Sequence, residues 1–102
     1  MKSSYLDKIL GPEKAAQLLT RYSLDLTRKV ELLTGFIEGG EMKEIRKIAH
    51  QLKGSGKSYG FDYITELGNK LSACARGEDY PGMKYLVENL ASYIKGRKKE
   101  PA

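Results

Sequence analysis

The 102 residues are enough for one domain with one modest hydrophobic core, and 40% hydrophobic with 30% charged residues is the balance of a folded globular chain rather than a disordered one. No apolar run approaches the ~20 residues that span a bilayer, and the N-terminal segment lacks the apolar core of a secretory signal. The net charge of +5 allows either an acidic protein surface or a nucleic acid as partner, and charge alone does not choose between them.

The single cysteine and the basic C-terminus set further expectations. Cys74 cannot form an internal disulfide, which indicates a reducing compartment, so we expect a cytoplasmic protein. The position of Cys74 on an apolar helical stripe predicts a small buried side chain rather than a redox centre. We expect a single domain over residues 1–102, in which residues 96–102 form a frayed basic tail.

Apolar residues recur at intervals of three and four between prolines and glycines, which predicts an all-α protein. The first predicted helix is short and covers Ser3 to Leu10, with Ser3 or Ser4 as its N-cap. The second covers Pro12 to Glu38, because proline is favoured in a first helical turn and the pair Gly39-Gly40 ends the helix.

Three more helices follow with short connections. The third covers Glu41 to Tyr59, and the fourth covers Asp62 to Arg76 with Asp62 as its N-cap. The fifth starts near Tyr80-Pro81, and Gly96 stops it. Four long amphipathic helices predict an antiparallel four-helix bundle with a short extra N-terminal helix. The residues predicted to face the core are Ala15, Leu18, Leu19, Tyr22, Leu26, Val30, Leu33, Ile37, Met42, Ile45, Ile48, Ala49, Leu52, Gly56, Tyr59, Ile64, Leu67, Leu71, Cys74, Met83, Leu86, Val87, Leu90, Tyr93 and Ile94.

The only histidine of the chain, His50, lies on the third predicted helix but away from its apolar stripe. On a helical wheel at about 100° per residue, His50 falls about 140° from Ile45 and therefore points outward. The side chains of Arg46, Lys53 and Lys57 fall roughly 80° to 120° from the same reference, on the side of His50. The pattern predicts an exposed histidine beside a basic lane formed by these three cations.

Gly54 also points outward on this wheel, about 180° from Ile45. A glycine inside a helix costs roughly 1 kcal/mol relative to alanine, and an outward position has no packing reason for one. Close approach of another molecule does explain it. Gly56 falls on the core side, where close helix packing accounts for its missing side chain.

The residue types around His50 suit phosphoryl transfer. An imidazole is substantially neutral near pH 7, so its unprotonated nitrogen can act as a nucleophile towards a phosphorylated partner. Such a transfer needs alignment and charge neutralisation more than elaborate covalent machinery, and lysines can neutralise phosphoryl oxygens.

The string His50-x-x-Lys53-Gly54, with Gly60 six residues beyond, resembles the histidine phosphotransfer (Hpt) domain of phosphorelays. The likeness is strongest over residues 42–79 and extends as a helix pattern over nearly the whole chain. Further matching segments are the lead-in Ile45-Arg46-Lys47-Ile48-Ala49, the run Leu67-Gly68-Asn69-Lys70-Leu71 and the turn Arg76-Gly77-Glu78-Asp79.

The resemblance implies that His50 is a phosphoacceptor that exchanges its phosphoryl group with the aspartate of a response-regulator receiver domain. Lys53 and Lys57 are then expected to flank the phosphate and stabilise its charge. Gly54 would leave room for the partner, with Arg46 and Gln51 beside it in the partner-binding surface.

The same resemblance implies a carrier rather than a kinase, since the sequence has no Walker-type phosphate loop. We expect no cofactor and no bound metal, with Mg²⁺ held by the receiver. The expected partners are a receiver domain, a hybrid histidine kinase or both, without nucleic acid or membrane, and the expected state is a monomer. Gly68 departs from a strong helix pattern, and we expect it to be a packing contact or a local weakness without bearing on the phosphoacceptor.

Two other functions fit parts of the sequence. A non-catalytic helical adaptor could use the basic lane to bind an acidic protein surface, with His50 incidental. A small basic nucleic-acid binder would bind in a salt-dependent way without requiring His50. The outward Gly54 favours the phosphorelay carrier over both.

Overall fold

A computed structural model of the protein describes residues 3–96, and within that range the fold is all-α, as the sequence predicts. Residues 97–102 of the tail predicted over residues 96–102 lie outside the described residues, whereas Gly96 belongs to the final helix as its last residue. The helices are α1 (Ser4–Leu10), α2 (Pro12–Glu38), α3 (Met42–Tyr59), α4 (Asp62–Arg76) and α5 (Tyr80–Gly96).

The helices pack into a closed arrangement around one core. Helix α2 contacts α1, α3 and α5, and helix α4 contacts α3 and α5. The most extensive of these contacts joins α3 to α4. Every one of the largest fully buried side chains comes from the predicted stripes, namely Leu26, Leu33, Ile45, Leu52, Ile64, Leu71, Met83 and Leu90.

The short helix α1 is fixed by its predicted cap. The hydroxyl of Ser3 accepts a hydrogen bond from the backbone N–H of Leu6 at 3.2 Å and donates one to the carbonyl oxygen of Tyr59 at 3.0 Å. The N-cap therefore also ties the start of the chain to the end of α3.

Two local predictions around α4 are wrong. Asp62 is the first helical residue rather than the N-cap, a position that Phe61 takes without a side-chain hydrogen bond. Phe61 is instead buried against the ring of Tyr22, at a centroid distance of 5.9 Å. Cys74 is only half-buried, and its neighbour Ala75 fills the core position.

The surroundings of the half-buried Cys74 thiol disfavour its ionisation. Burial is the main cause that raises the pKa of the Cys74 thiol, and the Asp79 carboxylate, 3.8 Å from the sulfur, raises it further. The thiol is therefore protonated near neutral pH, which disfavours the thiolate chemistry of a redox centre.

Tyr22 makes stability sensitive to alkaline pH. It is 3% exposed and bonds to the Ser55 hydroxyl at 2.8 Å, and burial raises its pKa to about 12. Because the folded pKa lies above the ordinary value of about 10, this contribution to stability is complete below pH 10 and is lost as pH rises through 12. Between pH 10 and pH 12, we expect the free energy of unfolding of wild type to fall by about 1 kcal/mol more than that of Tyr22→Phe.

Urea unfolding of both proteins along an alkaline pH series measures this difference directly. Tyr22→Phe also loses a hydrogen bond at neutral pH, so the comparison uses the slope with pH and not the absolute stability. Equal slopes for the two proteins would contradict the assignment to Tyr22.

Candidate functional site

The structure places His50 on the solvent side of α3, as the helical wheel predicts. Ile48, Ala49 and Leu52 are buried around it, so the backbone beneath the imidazole is anchored in the core. The side chains predicted to surround it on this face are also exposed, namely Arg46, Gln51, Lys53 and Lys57.

The two glycines of α3 have different environments. An ideal Cβ on Gly54 would meet nothing within 4 Å, so helix packing does not require a glycine there. A Cβ on Gly56 would lie 2.6 Å from both the backbone nitrogen and the hydroxyl of Thr65. Gly56 is therefore a close-packing position, and Gly54 leaves a bare patch of exposed helix beside the histidine.

Gly68 brings α4 against the turn of α3 that carries the histidine. A Cβ on Gly68 would lie 2.7 Å from the carbonyl oxygen of Ala49 and 2.8 Å from the backbone nitrogen of Lys53. One turn away, the Thr65 hydroxyl donates a hydrogen bond to the carbonyl oxygen of Lys53 at 3.2 Å. The expectation that Gly68 is a packing contact is therefore confirmed, and its backbone contacts the residues that flank His50.

The close approach of the two helices leaves an open cleft of about 220 Å³ beside His50. Its lining residues are Ala49, His50, Lys53, Gly68, Asn69, Ser72 and Arg76. Sequence reasoning missed the three polar residues from α4. Their spacing of three and four places them on one face of α4, and that periodicity was the available signal.

The cleft is suited to an anion. Its lining contains the cations Lys53 and Arg76 and no carboxylate. Across residues 3–96 the ion pairs are Lys29–Asp25 and Lys47–Glu44, so neither cation of the cleft is neutralised by a described carboxylate.

The histidine itself is available for chemistry. No side chain or backbone group between residues 3 and 96 forms a hydrogen bond with the His50 ring. Both ring nitrogens are therefore open to a partner. Of the other predicted site residues, Arg46, Gln51, Gly54 and Lys57 do not line the cleft.

Residues 3–96 provide neither a cluster of metal ligands nor a helix that could span a membrane. Within residues 3–96, no cluster of three or more His, Cys, Asp or Glu side chains could hold a metal ion. None of the helices in this range is long and apolar enough to cross a bilayer.

The chain is similar to a known protein family. The family model described as the Hpt domain matches residues 17–97, a range that begins inside α2 and includes every residue of the cleft. No curated protein and no solved structure matches the chain.

Proposed function

The chain belongs to the Hpt domain family, and from this premise we propose that His50 accepts and donates a phosphoryl group in exchange with the aspartate of a response-regulator receiver domain. Hpt domains are phosphocarrier modules of two-component phosphorelays rather than kinases. The observation that carries the proposal is the exposed side chain of His50, which forms no hydrogen bond within residues 3–96. It lies beside a cleft lined by two cations that form no ion pair in this part of the chain.

The transfer step is a nucleophilic displacement at phosphorus. The unprotonated ring nitrogen of His50 attacks the aspartyl phosphate, and a phosphorus–nitrogen bond forms. The phosphorus–oxygen bond breaks with its electron pair left on the aspartate carboxylate. The other ring nitrogen keeps its proton or releases it to water according to pH, and the reverse reaction returns the phosphoryl group to an aspartate.

The cations near His50 stabilise the charge of the transferred group. Lys53 lines the cleft, one helical turn from His50, and is placed to contact phosphoryl oxygens as a point charge. Lys57 lies a further turn away and outside the cleft, so its contribution is a longer-range field that favours the approach of an anion.

The receiver is the partner that completes the site. We propose that it docks over Gly54, with Arg46 and Gln51 at the edge of the contact, and that it supplies the Mg²⁺ that phosphoryl transfer requires. We also propose that α2 to α5 form an antiparallel four-helix bundle to which α1 is added. The protein would act as a monomer in the cytoplasm.

Replacing Gly54 with phenylalanine tests the docking surface. We expect transfer from a phosphorylated receiver to fall at least about tenfold, because the new ring occupies the open space that the receiver needs. Phosphorylation by the small donor phosphoramidate should not change, since this donor needs no docking surface. The readouts are the two phosphorylation rates.

Gly54→Ala is the matched control, because it adds only a methyl group at the same exposed position. This variant should transfer faster than Gly54→Phe and more slowly than wild type, since a methyl group occupies less of the open space that the receiver needs. Receiver transfer that is equally fast in Gly54→Phe would contradict docking over this patch.

The proposal as a whole is tested with a panel of receivers phosphorylated on aspartate by a radiolabelled donor. Label should reach the protein from at least one receiver and should be lost in acid but retained in base, which distinguishes phosphohistidine from phosphoserine. A folded protein that binds a receiver without ever acquiring label would instead be the adaptor.

A further inference from the structure

We propose that the outward face of α2 is a self-association surface, on which a second copy of this chain docks its own α2 in the antiparallel direction. The inference goes beyond the proposed function, because the cleft beside His50 is lined by α3 and α4 and by no residue of α2. The association is weak, so the monomer proposed above remains the form that transfers the phosphoryl group at low concentration.

Gly35 is a glycine that packing within residues 3–96 does not explain. It lies inside α2 and is exposed, and an ideal Cβ on it would meet nothing within 4 Å. Glycine is less favourable than alanine inside a helix, so this position loses stability without relieving any contact. Its bare backbone instead leaves room for another molecule to approach α2 closely.

Three exposed side chains share this face of α2 with Gly35. At about 100° per residue, Leu24, Arg28, Glu31 and Gly35 lie within roughly 30° of one direction, opposite the buried stripe of the helix. Leu24 is 67% exposed, more than any other large hydrophobic side chain in residues 3–96. Arg28 and Glu31 are also exposed, and neither forms an ion pair in this part of the chain.

This face is complementary to itself in the antiparallel direction. A two-fold axis that crosses α2 midway between Arg28 and Glu31 sets Arg28 of each copy against Glu31 of the other. The same axis sets Leu24 against Gly35 of the second copy, because the two pairs of residues share one midpoint. Each cation then meets a carboxylate, and each leucine side chain covers the bare patch of a glycine. A parallel pairing would set like charges against each other.

The small size of the contact limits its strength. One pair of helix faces buries less than the roughly 1,600 Å² of a standard stable interface, and exposed ion pairs add little. We therefore expect a dissociation constant of roughly 0.1–1 mM, with monomer below that range.

Gly35 has one alternative role that the test must separate. It lies in the last turn of α2, where its carbonyl oxygen accepts a hydrogen bond from the backbone N–H of Gly39 at 3.0 Å. A role confined to the end of the helix predicts that substitutions of Gly35 change the stability of the fold. It predicts no change in self-association.

Sedimentation equilibrium over about 0.02–2 mM protein measures the association of wild type, Arg28→Glu, Glu31→Arg and the double variant. Lys70→Glu and Glu66→Arg are the matched controls, because they make the same changes of charge at exposed positions of α4. Circular dichroism of each variant verifies its fold.

Both single charge reversals on α2 should weaken the association. Each sets two pairs of like charges against each other, so we expect the dissociation constant to rise at least about fivefold for Arg28→Glu and for Glu31→Arg. The double variant restores opposite charges and should return to within about twofold of wild type. The controls on α4 should also stay within about twofold of wild type.

A general effect of net charge predicts a different pattern. Because the chain has a net charge of +5, Arg28→Glu lowers the repulsion between two copies and Glu31→Arg increases it. Net charge alone therefore changes the dissociation constant in opposite directions in these two variants.

Gly35→Gln tests the contact with the leucine of the second copy. The longer side chain fills the bare patch, so we expect the dissociation constant to rise at least about fivefold. The same variant should resist higher concentrations of urea, since glutamine favours helix over glycine. Greater resistance to urea with unchanged association would show that Gly35 acts only within its own helix, and would overturn its part in the contact.

The remaining outcomes are independent of the proposed function. The inference is overturned by a wild type that stays monomeric at about 2 mM, by single reversals that act in opposite directions, or by a double variant that does not recover. None of these results bears on the carrier function, which is tested separately by phosphorylation of His50. Failure of that phosphorylation would in turn leave the self-association surface standing.

Discussion

His50→Gln is expected to remove phosphoryl acceptance while leaving the fold intact. Glutamine is also polar and of similar size but has no nucleophilic nitrogen, so transfer from a phosphorylated receiver should fall at least about a thousandfold, to background. Because the side chain of His50 is exposed and makes no hydrogen bond within residues 3–96, the free energy of unfolding should change by no more than about 0.5 kcal/mol.

Three measurements on His50→Gln separate the carrier from the adaptor. They are label transfer, urea unfolding and binding to the unphosphorylated receiver, and we expect loss only in the first. A variant that accepts label at the wild-type rate would place the phosphoryl group on another residue. If wild type binds the receiver but never accepts label, and the variant binds equally well, the adaptor function is correct.

Gly68→Ala is expected to destabilise the protein by about 1–3 kcal/mol, although alanine favours helix by about 1 kcal/mol over glycine. The added Cβ would lie 2.7 Å from the carbonyl oxygen of Ala49 and 2.8 Å from the nitrogen of Lys53, and both are backbone atoms that cannot turn aside. Helices α3 and α4 must separate to accept it. Since these backbone atoms flank His50, we expect slower phosphorylation as well as lower stability.

Gly54→Ala is the matched control for this helix–helix contact. It makes the same substitution inside a helix, but its Cβ meets nothing within 4 Å, so we expect a gain of about 0.5–1 kcal/mol. Urea unfolding of Gly68→Ala and Gly54→Ala measures the change in the free energy of unfolding, which should have opposite signs in the two variants. A Gly68→Ala protein as stable as wild type would show that α4 does not press against this turn of α3.

The spacing of apolar residues along a helix predicts the structural features that depend on that helix alone. The apolar stripes predicted the five helices and the fully buried residues, because burial selects positions that recur with the helical repeat. The outward direction of His50 and the different settings of Gly54 and Gly56 follow from the same wheel.

The second wall of the cleft depends on how two helices are aligned, and no single helix contains that information. Asn69, Ser72 and Arg76 form an ordinary polar face of α4 until Gly68 fixes which turn of α3 they oppose. Phe61 takes the N-cap position predicted for Asp62 for a related reason. Phe61 lies in the turn before α4 and packs on Tyr22, which belongs to α2. The free energy gained by burying Phe61 outweighs the local preference for a capping side chain at this position.

The most direct test that His50 is the phosphoacceptor is to locate the phosphoryl group after transfer from a receiver, by tryptic digestion at neutral to alkaline pH and mass spectrometry. Cleavage after Lys47 and after Lys53 releases residues 48–53, a peptide that contains His50 but no serine, threonine, tyrosine, cysteine or acidic residue. If His50 carries the phosphoryl group, the added mass appears on this peptide and disappears after acid treatment. Phosphoryl mass on the following peptides, which contain Ser55, Ser58 and Tyr59, with none on residues 48–53, would contradict it.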